Sequence, residues 1–69
     1  METKDIGELK NRVARAGGTL MCTMQFDEAK VTGKLYLDRW GDLVFKRSDG
    51  AKIWIREEDL RKPGRSFLI

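Results

Sequence analysis

Two kinds of residue in this chain could act chemically on another molecule: indole rings and clustered cations. In "KIWIR", residues 52–56, Lys52, Trp54 and Arg56 alternate with Ile53 and Ile55. Side chains of an extended strand alternate between the two faces of a sheet, so the first three share one face and the isoleucines the other. A tryptophan between cations is a platform on which a base can stack, worth about 1–3 kcal/mol per base, while the cations hold phosphates. The same ring could equally pack in a subunit interface or beneath the N-terminal helix, with two solvated cations beside it. Lys46 and Arg47, together with Arg61, Lys62 and Arg65 of the tail "RKPGRSFLI", form either a phosphate-binding rim or the solubilising charge usual at edges and termini. The candidate nucleic-acid-binding residues are therefore Lys46, Arg47, Lys52, Trp54, Arg56, Arg61, Lys62 and Arg65.

A second set of residues suits a protein partner. Met21, Tyr36 and Val44 fall on the outward faces of their strands, and with Trp54 they could make one apolar patch. Trp40 follows Arg39 at the tip of the turn "RWGD", where an aromatic side chain either inserts into a partner or folds back over the open end of a barrel. Met21, Tyr36, Trp40 and Val44 are the candidate interaction surface.

Other chemistries lack their residues. The chain has no histidine, so its one thiol, Cys22, has no usual base, and its strand position points it inward. Glu57, Glu58 and Asp59 are consecutive and cannot all face one ion from a helical turn; the dipole of a helix start accounts for them better. Gly17-Gly18 closes a helix instead of opening one, so no phosphate-binding loop is present. No catalytic activity, metal or cofactor is expected.

The elements that must position these residues follow from period and punctuation. Ile6, Leu9, Val13 and Ala16 recur at helical spacing, Asp5 and Glu8 (or Thr3) supply a cap, and Gly17-Gly18 ends the segment, predicting a helix over about 4–16. The period then becomes two. "TLMCTMQF", "VTGKLYLD", "LVFKR" and "KIWIR" read as strands separated by "DEAK", "RWGD" and "SDG". "EEDL" reads as one helical turn, "RKPG" breaks it, and "SFLI" reads as a short fifth strand. Tight turns make neighbours antiparallel, and five short strands with one apolar face each should curl into a small barrel, bending at Gly33. The predicted fold is mainly β: one domain over 1–69, an N-terminal helix followed by a small five-stranded antiparallel SH3-like or Sm-like barrel over about 19–69.

The totals bound the rest. A chain of 69 residues buries only about 60% of the surface it exposes when unfolded. Without disulfide or zinc, such a scaffold calls for an idealised core or a partner subunit, so self-association is expected. Apolar runs such as "LVF" and "FLI" are too short to span a membrane and "METKDIGELK" has no signal core, which places the protein in the cytoplasm. A net charge of +3 leans mildly toward nucleic acid or another acidic partner.

The segment "VTGKLYLDRWGDLVF" resembles the first signature of the Sm and bacterial Hfq proteins: a glycine in the second strand, alternating hydrophobics, an aspartate, and a polar residue four later. "GAKIWIREEDL" more faintly resembles the second, in which an isoleucine-arginine pair ends a strand. The two cover residues 31–60. The resemblance implies a small barrel, RNA as ligand, and a ring or dimer. It departs from the family in a stretch between Gly33 and Asp38 one residue shorter, in Asp42 where an asparagine usually holds a base, and in Glu57 where a glycine usually follows the arginine. Barrels of the SH3-like kind share the topology without that function. The function expected is a non-catalytic basic module that binds nucleic acid, RNA first; the alternative is a protein-interaction module that regulates or inhibits a larger protein.

Overall fold

The computed structural model describes residues 2–69. Strand β1 (Glu2–Thr3) precedes helix α1 (Ile6–Arg15), then β2 (Thr19–Phe26), β3 (Ala29–Leu37), β4 (Leu43–Arg47), β5 (Lys52–Ile55), helix α2 (Glu57–Arg61) and β6 (Arg65–Leu68). The strands form one antiparallel sheet in the order β1-β6-β2-β3-β4-β5. The mainly β architecture with an N-terminal helix agrees with the patterning. The five-stranded closed barrel does not. Glu2 and Thr3 add a sixth strand by pairing with Leu68 and Phe67, and among the described residues no ladder joins β1 to β5, so the sheet is open. It nevertheless curls. Phe45 of β4 and Phe67 of β6, which are not neighbours in the sheet, meet edge to face with ring centroids 5.6 Å apart.

Local chemistry sets the element ends. The helix is shorter than the predicted 4–16 because Asp5 is its cap, the carboxylate accepting from the Glu8 N–H at 3.1 Å. Thr3 does not compete: its hydroxyl oxygen accepts from the Asp5 N–H at 3.2 Å and fixes the approach. At the other end Gly17 and Gly18 have φ of 86° and 104°, and the Gly18 N–H reaches the Val13 carbonyl at 2.9 Å. Leu9 and Val13 are fully buried, whereas Ala16, the last residue of the predicted stripe, is the exposed C-cap. The predicted loop 27–30 contracts to Asp27 and Glu28. Asp27 takes φ 55°, which its short polar side chain tolerates, and its N–H donates to the Gly64 carbonyl at 2.8 Å.

Leu9, Val13, Cys22, Leu35, Leu43, Phe45, Ile55, Leu60 and Phe67 form one buried cluster, with Leu20, Met24, Val31, Leu37 and Ile53 packed against it. The alternation read from Leu20 onward therefore holds: Ile53 and Ile55 face the interior and Trp54 faces out. Cys22 sits in this cluster, and burial pushes its thiol up to about 11. At pH 8 the native protein is expected to resist iodoacetamide and to alkylate fully once unfolded, as mass spectrometry would record. Rapid labelling under native conditions would mean that β2 does not hold Cys22 inside.

Candidate nucleic-acid interface

The outer face of β3, β4 and β5 is built by register. Lys34 stands opposite Lys46, and Lys46 opposite Lys52, so three lysines form one row across three strands. With neighbouring strands about 4.8 Å apart, the row spans about 10 Å. Met21 of β2 continues it beside Lys34. Two residues along, Tyr36, Val44 and Trp54 form a second row about 7 Å from the first.

Like charges directly opposite each other destabilise a sheet. Lys34, Lys46 and Lys52 have neither a carboxylate nor a hydrogen-bond acceptor among the described residues. Three such cations side by side carry an electrostatic cost that a polyanion removes.

In the aromatic row beside them, one ring is tied to the turn by a hydrogen bond. The indole N–H of Trp54 donates to Asp38 Oδ2 at 3.1 Å. The other carboxylate oxygen accepts from the backbone N–H groups of Trp40 and Asp42, each at 2.9 Å, so one side chain closes the turn and pins the ring. Trp54 is 49% exposed, whereas Val44, between it and Tyr36, is 0% exposed. That corrects the reading of Val44 as contact surface: a small side chain flanked by two aromatics in one cross-strand row is covered by them. Of the remaining candidates, Met21 is 66% exposed and Tyr36 half-buried. Trp40, at 71% exposed, does not fold back over the sheet; the Arg39 guanidinium lies 4.3 Å above its ring instead.

Partial desolvation acts to raise the Asp38 pKa, but the donors from Asp42, Trp54 and Trp40 and the charge of Arg39 outweigh it and hold the carboxyl below its ordinary 3.8. A group depressed in the folded state stabilises fully above the unfolded value and loses that contribution as pH falls through the folded one. In a Trp40→Phe background, the midpoint of the change in Trp54 emission on acidification is therefore expected below 3.8. With Asp38→Asn added, that acid step should vanish. A step at or above the ordinary carboxylate range would contradict the assignment.

The other sequence candidates are dispersed. Arg47 follows Lys46 in one strand and so faces the opposite way; its guanidinium pairs with Asp49 at 3.1 Å. Arg56 shares the outer face but caps α2 and lies 3.7 Å from Glu58. Arg61 pairs with Glu57 at 2.9 Å, and the Lys62 carbonyl accepts from Lys4 Nζ at 3.2 Å. Arg65 stacks 4.1 Å above the Phe26 ring. In the sheet β6, which carries Arg65, is separated from β4, which carries Lys46 and Arg47, by β2 and β3. Sequence reasoning missed Lys34 and Asp38. The turn signals could have found both, since a tight turn centred on Trp40 brings Lys34 opposite Lys46 and Asp38 beside Asp42.

Compared with known proteins, the chain matches no family model, no curated protein and no solved structure. Among the described residues no cluster of histidine, cysteine or carboxylate side chains is placed to hold a metal ion, and no helix is long and apolar enough to cross a membrane.

Proposed function

We propose that the outer face of β3–β5 binds single-stranded nucleic acid, with RNA the first expectation, and performs no reaction on it. One observation carries the reading: the unpaired row Lys34, Lys46 and Lys52 lies one step along the sheet from a pinned, half-exposed indole. The lysines would hold successive phosphates while a base leaves the backbone to stack on Trp54. A duplex buries its base faces and could use only the lysines. The resemblance of residues 31–60 to Sm-like proteins supports RNA, and the same resemblance supports self-association as a ring or dimer.

Fluorescence anisotropy with a labelled single-stranded decamer tests the reading across a salt series. Three neutralised phosphates predict a slope of log K against log salt of about −2 for a single strand. The triple variant Lys34→Ser, Lys46→Ser, Lys52→Ser should abolish most of that slope. Trp54→Ala should weaken binding roughly tenfold to a hundredfold, the range that loss of one stacked base corresponds to. A charge-matched control, Lys10→Ser, Arg61→Ser, Lys62→Ser, should bind nearly as well as the parent. Equal losses in the two triple variants would show only diffuse charge attraction, and no binding at low salt would end the proposal.

A further inference from the structure

Strand β5 is an edge of the sheet, paired to β4 on one side and to no strand on the other. The hairpin leading into it fixes which of its peptide groups face the open side. At the turn the Arg47 N–H donates to the Ala51 carbonyl at 2.8 Å and the Gly50 N–H to the Arg47 carbonyl at 2.9 Å. Ladder bonds of an antiparallel pair fall on alternate residue pairs, so after Arg47 and Ala51 they join Phe45 to Ile53 and Leu43 to Ile55. The N–H and C=O groups of Lys52 and Trp54 consequently point away from β4, and among the described residues no hydrogen bond reaches them. The open edge stops at Arg56. Its N–H donates to the Asp59 carboxylate at 3.3 Å, and its carbonyl accepts from the Asp59 and Leu60 N–H groups at 3.0 and 3.4 Å.

Two donors and two acceptors on alternate residues are complementary to a second copy of the same edge run antiparallel. With Lys52 opposite the partner's Trp54, and Trp54 opposite the partner's Lys52, each pair exchanges two N–H···O=C bonds and all four groups of each copy are used. The neighbouring registers fail. Centring the pair on Trp54 sets Lys52 opposite Arg56, a like-charge contact, and asks for the Arg56 groups that α2 already holds. Centring it on Lys52 sets lysine against lysine. A lysine on an edge strand ordinarily repels a second strand; in the register centred on Ile53 it meets an indole instead, a favourable cation–π neighbour. The two copies' Lys52 are then only diagonal neighbours, about 7–8 Å apart. On the inner face the half-buried Ile53 meets its own counterpart, and Ile55 meets Ala51.

We propose that two copies of the chain pair antiparallel along β5 about a two-fold axis through Ile53, joining their six-stranded sheets into one. Residues directly opposite each other share a face, so both lysine rows lie on the same side. The row Lys34, Lys46, Lys52 of one copy runs on into the partner's Trp54, and each indole gains a lysine from the other copy beside it. The pairing stands on the backbone of β5 alone. Its effect on nucleic-acid binding rests on the proposed function: six lysines on one continuous face would take up a strand about twice as long as one copy does.

Sedimentation velocity on nucleic-acid-free protein, from micromolar to millimolar concentration, should show a monomer passing to a dimer and no larger species, because a two-fold interface closes on itself. Cysteine cross-linking then tests the register. Facing residues of a non-hydrogen-bonded pair lie about 4.5 Å apart at Cα, within disulfide range. Ile53→Cys should form an intermolecular disulfide in a mild redox buffer, while Ala51→Cys, at a more exposed position, and the parent should not. A parent that stays monomeric at millimolar concentration, growth beyond the dimer, or cross-linking of Ala51→Cys as fast as Ile53→Cys overturns the pairing. These measurements contain no oligonucleotide, so their failure is separate from failure of the lysine-row reading. On a strand of about twenty nucleotides the dimer should show a slope of log K against log salt of about −4; a slope that stays near −2 would overturn the shared face.

Discussion

Gly33→Ala is expected to leave no cooperative thermal transition in circular dichroism at any temperature where the parent is folded. The reason is space, not backbone freedom. Gly33 is buried in the middle of β3, between Cys22 of β2 and Arg47 of β4. A Cβ there would collide with the Lys46 carbonyl oxygen, stand 2.8 Å from Phe45 Cζ and 3.1 Å from the Lys46 carbonyl carbon. Two of those three atoms belong to the opposing backbone, which cannot rotate away as a side-chain end can. Relief means spreading β3 from β4 where the sheet bends. Overpacking costs about 1–3 kcal/mol where side chains absorb it and more where backbone must, and a core of this size supplies only about 3–5 kcal/mol in total. A melting temperature within a few degrees of the parent would show that β3 does not approach β4 so closely.

Phe45→Ala should be as damaging for the opposite reason. Phe45 is fully buried and its ring meets Phe67 edge to face, bridging the interior of the curled sheet. Truncating a buried phenylalanine costs about 3–5 kcal/mol, transfer and cavity together, which equals the whole margin expected of the fold. The variant should be mostly unfolded at 25 °C by urea titration, while Phe45→Leu should retain a transition at lower denaturant. The double variant Phe45→Leu, Phe67→Leu should cost less than the two leucine singles summed, because they share one contact. Strict additivity would mean that the rings do not support each other.

The side of each strand is legible from the period alone, whereas the partner across from it needs the turn geometry as well. The period of two placed Leu35, Phe45 and Ile55 inward and Lys34, Lys46 and Trp54 outward, because one buried face leaves a strand no choice. Register across strands depends on turn geometry. Placing Lys34 in the row takes the register set by the turn centred on Trp40 as well as the period, and Lys46 and Arg47, adjacent in one strand, point apart. Strand β1 escaped notice because two residues, Glu2 and Thr3, carry no period at all. Asp38 was legible as a turn residue, but its second role in holding Trp54 depends on strands brought together sixteen residues apart. The open sheet was hidden for a similar reason: composition shows that an apolar face must be covered, and here Leu60 of α2 covers part of it in place of a strand pair.

The sheet order has a kinetic corollary. Strands β2 to β5 are each joined to the next by a short hairpin, so that meander can zip from local encounters. Strand β6 instead returns to pair with β2 across about forty intervening residues, and β1 docks only on β6. Loop closure over that distance carries an entropy loss before any contact offsets it. Strands β6 and β1 are therefore expected to pair after the meander has formed, with Phe67 closing against Phe45 as β6 docks.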